Sequence, residues 1–390
     1  MPDSDPPLFD TTRGARSLRI AAVVAFLLVA ASVPVSLLVY PGFRSKAAPK
    51  CPIPSLGGLW HGTFMTALDD HVRERSRVVD ELRGNYNELL YRCGLFESRS
   101  VFLGRDGWMC FAHTRHVDPE RQRANTPARL AAYRRIKQRA DRLGVRVLAL
   151  PVPDKVRIHP EKFFPDGREP PELSRRYDLI LTELRSCGFE VVDVRALLLE
   201  ERRREPGKRL FYHRDSHWAP AGLHAAAKAI ARRFAELEWP IGDAVPVWVA
   251  PPSPIHLVPD LVSSLGFRNA ERAKHEPISG LVAGLRETKF YFGVERIVDG
   301  ARLPCPPIQP AARLAVCGTS FSDHGLHWAI MWETHRLVDY HGIRSAGGPW
   351  AGLEDLFDRI EHGTSRVQTV VWEFVERFYS ESWFLDLDLR

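Results

Sequence analysis

The chain has 390 residues, 45% hydrophobic and 26% charged, with a net charge of +6. That balance excludes global disorder and leaves enough apolar residues for a sizeable core. The densest basic run, Arg202 to Arg204 with Lys208 and Arg209, comes with no nucleic-acid-binding motif. It reads as a solvated face or a contact for anionic headgroups or glycans, and no nucleic-acid partner is expected.

Residues 1–19 read as a short cytoplasmic leader carrying Arg13, Arg16 and Arg19, and 20–43 as a transmembrane signal anchor. The 24 residues from Ile20 to Phe43 contain no charge, and a helix of that length spans about 36 Å, enough for a hydrocarbon core of roughly 30 Å. The run is too long for the apolar core of a cleaved signal peptide, which is usually about 7 to 15 residues. Arg44, Lys46 and Lys50 balance the three leading arginines, so flanking charge does not orient the helix; the long C-terminal part is free to be translocated regardless of charge. The expected location is the inner (cytoplasmic) membrane, single-pass, with the large domain in the periplasm or extracytoplasmic space. All six cysteines follow the anchor and show neither C-x-x-C pairing nor zinc-ligand spacing, which leaves buried thiols and a disulfide both open.

Residues 44–57 read as a linker and 58–390 as one folded domain. Leu59 to Tyr91 has irregular helical spacing. From about residue 98 helices alternate with apolar strands, the pattern of an α/β fold with a mostly parallel sheet in a three-layer α/β/α sandwich. Thr126 and Pro127 start a helix that ends at Gly144. Val145–Val152 reads as a buried strand, Pro171–Cys187 as a helix, Phe189–Val194 as a second strand and Ala219–Leu237 as an alanine-rich helix. Glu238 to Ala312 is proline-rich and aperiodic, so loops and short elements facing a substrate are expected there. Leu314–Cys317 follows as a strand, Ser322–Arg336 and Gly348–His362 as helices, and Val367–Phe374 as the last strand.

Two segments carry candidate chemistry. F-Y-H-R-D-S-H-W-A-P at 211–220 precedes a helix; in extended chain, residues two apart share a face, so Asp215 and His217 can enter one cleft. The carboxylate would fix the imidazole tautomer and leave the other ring nitrogen as a base. L-A-V-C-G-T-S-F-S at 314–322 runs a hydrophobic strand into a turn and helix, which presents Ser320 at the carboxyl end of a sheet as a nucleophile, although the sequence is not a G-x-S-x-G elbow. Each short motif alone is common by chance, and their pairing gives the signal its weight. His213 and His217 also stand at i, i+4, a metal spacing only on a helix; with Pro220 ahead and no H-E-x-x-H, no metal is expected, and His213 reads as a loop or pocket residue. Trp108 reads as core, and Trp218 as core or a sugar-stacking ring beside His217.

D-S-H-W at 215–218 and G-T-S-F-S at 318–322, with V-F-L-G-R-D-G-W at 101–108 and V-V-W-E-F-V-E-R at 370–377, resemble the alginate O-acetyltransferase family of the AlgJ/AlgX type, over roughly residues 58–380. The resemblance implies an SGNH-hydrolase-like fold in which the Asp-x-His element precedes the serine, with Ser320 as nucleophile, His217 as base and Asp215 as orienting acid. It maps a family arginine loosely onto Arg344, a substrate-binding candidate with Trp218. It implies an extracytoplasmic O-acetyltransferase acting on an exopolysaccharide, needing no cofactor, and served by a multipass membrane acyltransferase as acetyl-donor partner. The arrangement is AlgJ-like, since no carbohydrate-binding module is seen after the catalytic region. The usual Gly and Asn blocks of SGNH enzymes are not recognisable, so a second oxyanion donor stays unassigned. A carbohydrate acetyl esterase with the same triad, and a non-catalytic glycan-binding subunit of an export complex, are the alternatives.

Overall fold

The computed structural model describes residues 77–250, 253–268, 280–291, 293–342 and 350–380. The leader, the expected anchor at 20–43 and the linker at 44–57 lie outside these residues. Among the described residues no helix is long and apolar enough to cross a membrane. The chain divides into two compact units, residues 1–96 with 266–272, and residues 97–265 with 273–390. In the first, helix α1 (Arg77–Arg92) is held by Asn87, whose amide donates to the Gly266 carbonyl at 3.2 Å, and by the edge-to-face packing of Tyr91 on Phe267.

The second unit begins with the hairpin β1 (Val101–Leu103) and β2 (Met109–Phe111), then runs α2 (Pro119–Arg142), β3 (Arg146–Val152), α3 (Pro171–Ser186), β4 (Glu190–Val191), α4 (Val194–Arg204) and α5 (Pro220–Leu237). Five short strands follow: β5 (Val247–Val249), β6 (Ser253–Leu257), β7 (Glu287–Tyr291), β8 (Val294–Val298) and β9 (Ala301–Pro304). The last stretch is β10 (Leu314–Gly318), α6 (Ser320–Asp323), α7 (Leu326–Thr334), β11 (Val338–Gly342), α8 (Ala351–Glu361) and β12 (Thr369–Val375). The main sheet has the order β11-β10-β12-β3-β4, and every neighbouring pair is parallel.

Alternate residues of these strands feed two separate cores. Leu148, Leu150, Leu314 and Val316 pack with α4, α5 and α7 on one face. Val147, Ala149, Ala315 and Cys317 pack with α2, α3 and α8 on the other. A parallel sheet covered on both faces needs strands that are mostly apolar; β10 meets that need along its buried length and β12 everywhere but Thr369 and Glu373, and the result is the expected three-layer sandwich.

Several element boundaries differ from the sequence reading. Helix α2 starts eight residues earlier, where Asp118 accepts from the Glu120 and Arg121 N–H groups and Pro119 takes the first position; Pro127 sits inside it, and the Thr126 hydroxyl donates to the Gln122 carbonyl instead of capping. The second strand shrinks to β4 because Asp193 turns away to cap α4 through the Ala196 N–H. The helix expected over Ser322–Arg336 is broken at Gly325, whose φ of 104° favours a residue without a Cβ. Strand β11 escaped the sequence reading because buried Asp339 and His341 interrupt its apolar run; the imidazole is held between Asp339 and Asp355. The aperiodic stretch after α5 does hold short elements, as expected: β6 pairs with β7, and β8 with β5 and β9, all antiparallel.

Candidate active site

Strand β10 is buried along Leu314–Cys317 and emerges at its carboxyl end into Gly318, Thr319 and the one-turn helix α6. The turn is closed by the Thr319 hydroxyl, which accepts from the Phe321 N–H. Ser320 opens that helix, partly exposed. Phe321 beneath it is fully buried and packs against the His217 ring at 4.7 Å and the Trp218 ring at 5.5 Å.

The Asp-x-His segment approaches from a closed loop. Phe211 bridges Trp218 in antiparallel fashion, and the Ala219 N–H donates to the Leu210 carbonyl at 2.9 Å. Asp215 and His217 stand at the loop's far end. The Ser320 Oγ lies 2.8 Å from His217 Nε2, and His217 Nδ1 lies 2.6 Å from Asp215 Oδ1. With Nδ1–H donating to the carboxylate, Nε2 carries the lone pair that faces the serine hydroxyl.

The surroundings of Asp215 explain why it stays a carboxylate. It is completely buried, and burial alone would push its pKa up; His217 and Lys289 outweigh that and hold it well below the usual range. Its Oδ1 also accepts from the His217 N–H at 3.2 Å, and its Oδ2 accepts from the Asp260 N–H at 3.0 Å and the Lys289 ammonium at 2.6 Å. Four donors thus meet two oxygens.

The loop backbone is braced as closely. Lys155, whose ammonium burial lowers to a pKa of about 8, donates to the carbonyls of Tyr212, His213 and Asp215 at 3.1, 2.9 and 2.9 Å. Glu287 accepts from the N–H groups of His213 and Arg214 at 2.9 and 3.0 Å. Glu287 and Lys289 are two apart on β7, so the alternation of a strand aims both at the loop. Asp260 accepts from the N–H and hydroxyl of Ser216.

Sequence reasoning missed Lys155, Asp260, Glu287 and Lys289. It also missed His324, whose ring stacks on His217 with centroids 4.1 Å apart. Burial, with the nearby His217 and Lys289, depresses the His324 pKa well below its ordinary value, so a neutral ring covers His217.

Asp215, His217 and His324 have side-chain ligand atoms within 4.8 Å of one another. The group suits a cation poorly, because both Asp215 oxygens are already engaged and the Lys289 ammonium sits 2.6 Å from one of them. His213 is not part of it; its ring lies on Trp108 at 4.4 Å.

Trp218 does not face a substrate. It is 1% exposed, and its indole N–H donates to the Phe321 carbonyl at 3.0 Å, so it ties the serine turn to the histidine loop. A ring with that polar tie can stay in the core at no hydrogen-bonding cost. Trp108 is likewise buried, between the rings of His159 and His213. Arg344 lies outside the described residues.

Residues 101–273 match the family model described as SGNH hydrolase-like domain, acetyltransferase AlgX; that stretch contains Asp215 and His217, and Ser320 follows it. The chain is 23% identical over 372 residues to a probable alginate O-acetylase AlgJ of Pseudomonas fluorescens, covering 93% of this chain and 88% of the relative. A probable alginate O-acetylase AlgJ of Pseudomonas aeruginosa is 26% identical over 207 residues, 51% of this chain and 50% of that one. In fold, the solved O-acetyltransferase domain of Pseudomonas putida AlgJ superposes with a TM-score of 0.57 at 20% identity, covering 72% of this chain and 92% of that domain. In sequence this chain is thus similar to proteins of the AlgJ/AlgX type, and the structural match shows a shared fold.

Proposed function

We propose that this protein is an O-acetyltransferase that moves an acetyl group through an acyl-enzyme on Ser320 to a hydroxyl of an exopolysaccharide. The observation that carries the reading is the continuous hydrogen-bonded chain from Ser320 through His217 to Asp215 at the carboxyl end of β10. The similarity to probable alginate O-acetylases supports an acetyl group as the acyl group and a polysaccharide as the acceptor.

In the first half-reaction Ser320 Oγ attacks the acetyl carbonyl while its proton passes to His217 Nε2. Collapse of the tetrahedral intermediate expels the donor's leaving group, which takes that proton. In the second, a sugar hydroxyl gives its proton to His217 and attacks the acyl-enzyme, and the serine leaves with the proton restored. Asp215, held ionised by four donors, stabilises the imidazolium in both halves. The Ser320 N–H opens α6 and makes no hydrogen bond among the described residues, which leaves it for the oxyanion.

In this reading the apolar segment 20–43 anchors the protein in the inner membrane with the catalytic domain on the extracytoplasmic side, and a multipass membrane acyltransferase supplies the acetyl group.

The test is to incubate the purified protein with an activated acetyl ester and oligosaccharides and to follow both acetylated sugar and free acetate. Acetylated sugar is expected from the wild type, with Ser320→Ala slower by about 10⁴- to 10⁶-fold. Acetate without acetylated sugar would mean an esterase. Undiminished acetylation by Ser320→Ala would remove the catalytic reading altogether.

A further inference from the structure

The serine turn rests on a buried carboxylate that the reaction described above does not use. Strands β10 and β12 run parallel, with Cys317 opposite Trp372, so the next residue of β12, Glu373, comes up beneath Gly318. Glu373 is completely buried. Its Oε2 accepts from the Thr319 N–H at 2.8 Å, the Ser322 N–H at 3.2 Å and the Ser322 hydroxyl at 2.8 Å, and its Oε1 from the Thr319 hydroxyl at 2.9 Å.

The turn is shaped around this group. A Cβ at position 318 would stand 2.6 Å from Glu373 Oε2 and 2.2 Å from Ser322 Oγ, so only glycine lets the carboxylate reach both flanking N–H groups. Thr319 and Ser322 each supply a backbone and a hydroxyl donor, and Phe321 fills the core below. Four residues of G-T-S-F-S therefore have tasks set by the turn, and Ser320 alone is left to face outward.

An apolar side chain would be the simpler occupant of this position, which lies in the run T-V-V-W-E-F-V. Burying a carboxylate among neutral donors is unfavourable for stability in itself, and burial raises its pKa. Removing the flanking N–H groups from other use has a chemical consequence instead. With Thr319 and Ser322 engaged and Phe321 closed onto Thr319, the turn offers the Ser320 N–H to the acyl oxygen.

We infer that Glu373 is a positioning residue for acyl transfer: by binding the N–H and hydroxyl groups on both sides of Ser320, it fixes the Oγ on the His217 line and keeps the Ser320 N–H free. The inference rests on the acyl-transfer reading and adds a residue to it. A displacement of about 1 Å at a reacting group can cost about 10²-fold in rate.

The decisive variant is Glu373→Gln, whose amide meets four donors with only one acceptor oxygen. In folded protein, shown by an unchanged near-ultraviolet circular dichroism spectrum, kcat for acetyl transfer should fall about 10²-fold with KM unchanged. The rate at which a small fluorophosphonate labels Ser320 should fall in step. A folded variant with wild-type kcat and labelling rate would overturn the inference, as would a rise in KM alone. If Glu373→Gln does not fold, Ser322→Ala and Thr319→Val each remove one hydroxyl donor, and each should lower kcat on the order of tenfold; wild-type kcat in both would overturn it equally. Wild-type protein that transfers acetyl groups with Ser320 unlabelled would instead count against the acyl-transfer reading.

Discussion

Replacing Asp215 with Asn tests the geometry around the base at a single oxygen. The carboxylate faces two donors from His217 on Oδ1 and two, the Asp260 N–H and the Lys289 ammonium, on Oδ2. An Asn side chain has one oxygen and one NH2, so one pair of donors must confront a donor. Neither the Asp260 N–H nor the Lys289 ammonium can become an acceptor, whereas the imidazole can, by moving its proton from Nδ1 to Nε2. The amide should therefore turn its oxygen toward Lys289 and its NH2 toward Nδ1. The Nε2 lone pair, 2.8 Å from Ser320 Oγ, is then replaced by an N–H and the base is lost. A wrong tautomer of this kind costs about 10⁴-fold in kcat, or about 5.5 kcal/mol. Turnover of a chromogenic acetyl ester measures it, and adding Lys289→Met should return on the order of tenfold by letting the amide rotate back. Asp215→Asn within tenfold of wild type would refute the tautomer argument.

Two further outcomes follow from the same contacts. The acid side of the pH profile of kcat/KM should carry no step from Asp215 at the ordinary carboxylate value, because Asp215 is held below it and stays charged as pH falls through the value of the unfolded chain, and none from His324 at the ordinary imidazole value, because it too is depressed. A step at the ordinary carboxylate value would mean that Asp215 is not held ionised. Trp218→Phe deletes the indole N–H that meets the Phe321 carbonyl and leaves a buried acceptor unpaired; urea unfolding should show a loss of about 1–3 kcal/mol, and an unchanged midpoint would show that the tie is not needed.

The sheet was legible because parallel strands buried on both faces leave largely apolar runs, as in Leu314–Cys317 and, with Glu373 its one charged residue, Val367–Phe374. Ser320 was legible because such a run ends in Gly-Thr-Ser, and Asp215 with His217 because local spacing alone brings them together. The bracing groups come from elsewhere. Lys289 and Glu287 belong to a strand of five residues, too short to show its alternation within a proline-rich stretch. Lys155 reads as a surface lysine until three carbonyls converge on it from the Asp-x-His loop. Glu373 did leave a trace, a lone acid inside an apolar run, but its partner turn lies more than fifty residues away. Trp218 adjoins His217 in sequence, yet its ring points into the core, because the bridge between Phe211 and Trp218 sets which residues of that loop turn inward.

The account stands on a covalent acyl group at one serine. The most direct measurement is the intact mass of the protein after rapid acid quench, following mixing with an activated acetyl ester and no sugar acceptor. The account predicts the mass increment of one acetyl group, mapped by peptide sequencing to Ser320, lost on adding oligosaccharide acceptor and absent from Ser320→Ala. Acetyl transfer that proceeds with no modified Ser320, or an increment that persists in Ser320→Ala, would contradict it.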